Sequence, residues 1–168
     1  MKITYTRSKS EKGYTVYTAS NGWTIVRRPF FRHIGNKNPS FIFSDVYDED
    51  GEIYANGMLS LAEAKQVVQL AEDRRAAQLE EALETVSLEL DYIKNISEYH
   101  AKIEKFPRDI IQELDNELRV MNEAMNTALE LSVKNCDTEK LKTAIESFNL
   151  AQTIASETHA LCETYIKE

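Results

Sequence analysis

MLSLAEAKQVVQLAEDRRAA, residues 58–77, is where the chain changes character. Ser60-Leu61-Ala62-Glu63 has the spacing of a capping box, in which a serine hydroxyl and a glutamate carboxylate satisfy free backbone N–H groups at a helix start. Leu61, Ala64, Val68 and Ala71 then recur three and four apart, with Val67 beside them, and predict one apolar stripe along a helix. The same spacing continued lands on Arg75 and Gln78. A new stripe begins at Ala76 and runs through Leu79, Leu83, Val86, Leu90 and Ile93. The helix is therefore expected to exchange one packing partner for another near Arg74-Arg75.

Upstream of this stretch the composition suits a sheet. All five glycines and ten of the fifteen aromatic residues lie in residues 1–57. Tyr14 to Ala19 alternates aromatic or β-branched residues with polar ones, Ser20-Asn21-Gly22 supplies a tight turn, and Trp23 to Arg28 resumes the β-rich run, so the segment predicts a hairpin. Pro29 to Ser40 reads as a basic, aromatic loop. Phe41 to Tyr47 is a third strand candidate, and Asp50-Gly51 favours a two-residue turn into Glu52 to Ala55. The expectation is a sheet of three or four antiparallel strands, covered on one face by the helix because a small sheet cannot bury enough apolar area alone.

Downstream, residues 58–168 contain no glycine and one proline. Phe106-Pro107 fits a second helix start, with proline in the first turn, and Ile111, Leu114, Leu118, Met121, Met125 and Ala128 follow in three-four alternation. Asn135-Cys136-Asp137 breaks the pattern, with Asp137 as a cap. Leu141, Ala144, Phe148, Ala151, Ala155, Thr158, Cys162 and Tyr165 mark a third helix. The fold class expected is α+β: a small antiparallel sheet packed on a helix (residues 1–74), then a long antiparallel helical bundle or coiled coil (residues 75–168), the first helix continuous across the boundary.

The 168 residues carry 20 Lys+Arg against 28 Asp+Glu, a net charge of -8, which excludes a uniformly basic nucleic-acid coat protein. The charge is uneven: residues 1–44 hold eight Lys/Arg and only Glu11, while residues 45–168 hold twelve Lys/Arg and 27 Asp/Glu. Such asymmetry suggests that the two ends face different partners. The polar start and the shortness of every apolar run point to a cytoplasmic protein with no membrane association. Cys136 and Cys162 show no disulfide or redox spacing and read as packing or incidental residues.

The sequence contains no phosphate-cradling loop, dinucleotide fingerprint, nucleophile elbow or zinc-protease helix. His33, His100 and His159 are far apart and outside any Glu-x-x-His pattern. Asp48-Glu49-Asp50-Gly51-Glu52 lacks the ligand spacing of a calcium loop and reads as a solvated turn. Glu80, Glu81, Glu84 and Glu89 read as the wet face of the long helix, and Met121 and Met125 as core. No catalytic, cofactor or metal residue is expected. The one stretch suited to binding is Arg27-Arg28-Pro29-Phe30-Phe31-Arg32-His33, with Lys37 beyond it. Guanidinium groups interleaved with aromatic rings can neutralise phosphates and stack on bases, or dock on a protein surface. The partner-binding candidates are thus Arg27, Arg28, Phe30, Phe31, Arg32, His33 and Lys37.

Gly22-Trp23-Thr24-Ile25, the strand Phe41 to Val46 and the helix opening Leu59-Ser60-Leu61-Ala62-Glu63-Ala64-Lys65 together resemble the small sheet-plus-helix modules of bacteriophage proteins. The best-known relative of that shape is the arm-type DNA-binding domain of phage integrases, with its AP2-like three-stranded sheet. The resemblance covers residues 13–73. It implies a phage or mobile-element protein in which the sheet, backed by the helix, meets DNA through Arg27, Arg28 and Arg32. In size, acidity and lack of catalytic motifs the chain also resembles phage proteins that disable host defence machinery. The leading expectation is a non-enzymatic, anti-defence inhibitor of this kind, binding a host protein or nuclease complex. The alternative is a DNA- or RNA-binding regulator that dimerises through its helices; a structural or assembly protein is a third reading.

Overall fold

The computed structural model describes residues 2–31, 39, 41–58, 60–103, 107–132 and 137–166. Five strands, β1 (Tyr5–Lys9), β2 (Thr15–Ala19), β3 (Thr24–Phe30), β4 (Phe41–Tyr47) and β5 (Ile53–Met58), precede three helices, α1 (Leu61–Ile103), α2 (Arg108–Leu131) and α3 (Thr138–Ile166). The fold is α+β. The chain separates into two compact units, Met1–Arg74 and Arg75–Glu168, and the boundary falls inside α1.

The sheet unit is an antiparallel meander with strands in the order β1-β2-β3-β4-β5. It has five strands where the sequence pattern predicts three or four. The addition is β1, which pairs with β2 from Tyr5↔Ala19 to Lys9↔Thr15. Its sequence, YTRSK, has one apolar residue and so gives no hydrophobic alternation to read. Three hairpins share one design. Ser10 and Tyr14, Ala19 and Trp23, and Asp48 and Glu52 close three-residue loops with backbone hydrogen bonds, and the last loop residue is glycine each time. The turn at Asp50-Gly51 therefore has one residue more than predicted. At Gly22 the backbone has φ +94°, and a Cβ would also approach the Glu49 Cβ to 3.2 Å, so both conformation and space exclude a side chain there.

Strand β3 also runs further than expected. Pro29 and Phe30 pair with Ile42 and Phe41, so they begin no loop. Pairing of β3 with β2 ends at Arg27↔Thr15. Beyond Arg27, β3 is an edge on that side, and the missing N–H of Pro29 leaves no ladder bond unmade.

One sheet face carries Ala19, Trp23, Ile25 and Val46, which form a buried core with Ala64 and Val68 of α1; Tyr5, Tyr17, Leu61 and Ala71 pack around it. Full burial of side chains such as Ile25, Val46 and Val68 contributes about 1.5–3 kcal/mol each. The capping box forms as the sequence predicts: Glu63 N–H donates to Ser60 Oγ at 3.1 Å, and Ser60 N–H donates to Glu63 Oε2 at 2.9 Å.

In the helical unit, Val86, Leu90 and Ile93 of α1 share a core with Ile110, Leu114, Met121 and Met125 of α2 and Ala144 and Ala151 of α3. Tyr92 reaches Glu113 while Ala82 shares a cleft with Ala124 and Thr127, so α2 runs antiparallel to α1. Ser97 meets Thr158 while Glu84 lies beside Thr143, so α3 runs parallel to α1 and the three helices go up, down and up. Pro107 is the N-cap of α2, one position before the first turn where it was expected. Asp137 caps α3 by accepting from Glu139 N–H and Lys140 N–H at 3.2 and 3.3 Å. The expected Ala76 is exposed, and Ala82 is buried in its place.

Candidate functional site

Strand parity divides the residues that the sequence places in one patch. Successive side chains of a strand point to opposite faces. Arg27 follows Ile25 onto the face that α1 covers, and Arg28 and Phe30 point to the other. Phe31 is exposed just beyond the end of β3. Arg32, His33 and Lys37 lie outside the described residues.

On the face away from α1, Arg28 forms an ion pair with Asp45, a residue only 3% exposed. The second oxygen of Asp45 accepts the Gly57 N–H at 3.0 Å, beside the register shift between β4 and β5. The carboxylate hydrogen bond raises the Arg28 pKa above its ordinary value. Arg28 is thus committed to an internal latch joining β3, β4 and β5. Beside it, the rings of Phe30, Phe41 and Phe43 lie 5.9 to 6.3 Å apart, with Phe30 and Phe41 about half exposed.

The α1-covered face holds a different site at its far end. Register pairs Arg7 with Tyr17, Lys9 with Thr15 and Thr15 with Arg27, so three cations from β1 and β3 fall on adjacent rows. With Lys12 and Tyr14 of the first hairpin they line a cleft of about 390 Å³, which Pro29 and Ile42 complete. Four cations border this space, and its lining includes no carboxylate. Lys65, from the second turn of α1, adds positive charge behind it, its Nζ lying 4.5 Å from the Tyr5 ring centre and 5.5 Å from that of Tyr17. Lys12 depends on the hairpin geometry, in which Gly13 takes φ +79°.

Two polar atoms beside the cleft lack partners. Arg27 Nε and the hydroxyl of Ser44 are buried without a hydrogen bond, and the two residues are direct cross-strand neighbours. A buried donor left unpaired costs about 1–3 kcal/mol, a cost this row carries in the folded sheet. The sequence reading finds Arg27 but misses Arg7, Lys9 and Lys12. The signal was present in the charge excess of residues 1–44 and in the two-residue spacing of Tyr5, Arg7 and Lys9. It becomes legible only once that segment is known to be a strand.

Among the described residues, the helical unit supplies no comparable cluster of cations around a cleft. Cys162 is buried, and burial pushes its thiol pKa up. Among the described residues, no three His, Cys, Asp or Glu side chains are grouped so as to hold a metal ion, and no helix is long and apolar enough to cross a membrane. The Asp48 carboxylate accepts from Asp50 N–H and Glu52 N–H within its own turn. Cys136 lies outside the described residues. No protein-family model matches the chain, and neither does any curated protein or solved structure.

Proposed function

We propose that the protein is a non-enzymatic binding protein whose sheet unit holds a nucleic-acid backbone in the cationic cleft. The observation that carries this reading is the convergence of Arg7, Lys9, Lys12 and Arg27 on one cleft whose lining lacks acidic residues, with Arg27 Nε unpartnered beside it. Phosphodiester oxygens are acceptors of the right charge for such a site. The placement differs from what the integrase-arm resemblance implies. There the face away from the helix meets DNA; here, among the described strand residues, Arg28 on that face is paired to Asp45, and Arg7, Lys9 and Arg27 are on the other.

The test is fluorescence anisotropy of labelled single-stranded and duplex DNA and RNA with the full chain across a salt series. Four phosphate contacts give a slope of log affinity against log salt of about -3 to -4. Arg7→Glu with Lys9→Glu lowers affinity more than about tenfold and reduces the slope by about 2. Absence of binding at low salt rejects the reading.

The exposed Phe30, Phe41 and Phe43 cluster favours a second reading, that of a phage-type inhibitor that docks this face on a host protein or nuclease complex. Under it, Phe30→Ser and Phe41→Ser remove the inhibition, and Arg7→Glu leaves it unchanged.

A further inference from the structure

The cations of the cleft stand around a centre and not along a track. Lys9, Thr15 and Arg27 are cross-strand neighbours in one row, and Arg7 lies two residues along β1 from Lys9. With strands about 5 Å apart and a rise of about 3.4 Å per residue, the Cα atoms of Lys9 and Arg27 are about 10 Å apart and those of Lys9 and Arg7 about 7 Å. Lys12 joins them from the loop of the first hairpin, where the Lys9 ammonium also donates to the Gly13 carbonyl at 3.4 Å. Arg7, Lys9 and Lys12 are exposed and Arg27 is half-buried. Among the residues lining the space no carboxylate offsets them.

We propose that the cleft is an end-binding site, which receives the phosphate monoester at the terminus of a single nucleic-acid strand. The inference rests on the reading of the cleft as a backbone site and narrows it. A space of about 390 Å³ is at the small end of ligand sites and has room for about one nucleotide, so a single strand enters it and a duplex does not. A nucleotide inside a chain brings a phosphodiester on each side, about two negative charges against the four cations. A terminal monoester carries about -1.5 to -2 at pH 7, and with the diester that follows it brings about -3, closer to balance. It also presents three terminal oxygens where a diester presents two, so cations arriving from β1, the hairpin loop and β3 each find an acceptor. A line of cations suits a passing backbone; a cluster around one centre suits a chain end. Pro29 and Ile42, cross-strand neighbours, give the cleft an apolar border against which the terminal sugar packs.

Fluorescence anisotropy with the full chain tests the end preference, using one short sequence, as DNA and as RNA, labelled at an internal base. The strand is supplied with a 5′-phosphate, with a 3′-phosphate, with hydroxyls at both ends, and as a closed circle. A phosphorylated form is expected to bind about tenfold more tightly than the hydroxyl-ended and circular forms, with a salt slope steeper by about 0.7. Which of the 5′ and 3′ forms does so names the end. Equal binding of all forms overturns this proposal and leaves the backbone reading standing; no binding of any form at low salt overturns both. A phosphorylated blunt duplex that binds as tightly as the phosphorylated strand overturns the restriction to single strands. Arg7→Gln with Lys12→Gln, both at exposed positions, is expected to bring the phosphorylated strand down to the affinity of the hydroxyl-ended one, with unchanged Trp23 fluorescence showing the sheet intact. A preference that survives this double variant places the strand end elsewhere and overturns the proposal.

Discussion

The sheet unit and the helical unit bury polar groups in opposite ways. In the helical unit the buried pair is self-contained: Thr158 Oγ1 donates to the Ile154 carbonyl at 2.8 Å and shares a hydrogen bond with Ser97 Oγ at 2.9 Å. His159 Nε2 lacks a hydrogen bond there but sits 3.4 Å from Asp115. In the sheet unit one carboxylate, Asp45, is fully engaged, yet Arg27 Nε and the Ser44 hydroxyl on the other face have no partner. Asn21 and Trp23 Nε1 of the sheet unit are also buried without a hydrogen bond, so the unpaired polar atoms gather in that unit, and two of them, on Arg27 and Ser44, lie beside the cationic cleft. The difference supports the proposal that the sheet unit is the binding unit.

The sharpest way to break this contrast is to remove the buried carboxylate of the sheet unit, Asp45. Asp45→Ala strands the Arg28 guanidinium and the Gly57 N–H and is expected to cost about 2–4 kcal/mol, less than a wholly buried pair because Arg28 is partly in water. The single tryptophan, Trp23, is buried in the sheet core. Its fluorescence in a urea titration follows that unit, while circular dichroism at the helical band follows the other. A fluorescence midpoint that does not fall would show that the latch does not hold the sheet. In the helical unit, Thr158→Val leaves Ser97 unpaired and costs about 1–2 kcal/mol, read in the helical band. Ser97→Ala with Thr158→Val recovers most of it, because no polar group then remains stranded; a double variant as unstable as the single would show that Ser97 and Thr158 are not coupled.

The smallest effect concerns acid pairs in the helical unit. Burial, reinforced by a hydrogen bond and repulsion from Glu117, raises the Glu89 carboxyl to about 7. The folded state therefore holds a proton that the unfolded state releases near the ordinary carboxyl value of 4.5. Stability from this group is present at low pH and is lost as pH rises from about 4.5 through about 7. With solvent screening the effect is about 1 kcal/mol or less. Urea midpoints of the wild type and Glu89→Gln at pH 5 and pH 8 check it: the decline toward pH 8 is expected to be smaller in the variant, and equal declines would assign it elsewhere.

Much of the helical unit was legible because its signal is local. Leu114, Met121, Met125, Ala151, Ala155 and Cys162 are buried as their three-four spacing requires, and the Ser60 and Asp137 caps form from side chains within three residues of their targets. The sheet unit was harder because its information is relational. β1 is recognisable only through β2, and the opposite fates of Arg27 and Arg28 follow from a pleat that runs past Pro29. Taking Arg27 and Arg28 as members of one binding stretch merged two faces of the sheet.

The meander also leaves two open borders, β1 and β5, where unpaired backbone groups invite strands from other molecules. Each is guarded. β5 is distorted at Gly57, and β1 carries Arg7 and Lys9, whose repulsion between copies discourages stacking of one sheet on the next. The cations that shape the cleft therefore protect solubility as well. Neutralising them would create a bare edge prone to aggregation, whereas reversing their sign keeps the border charged.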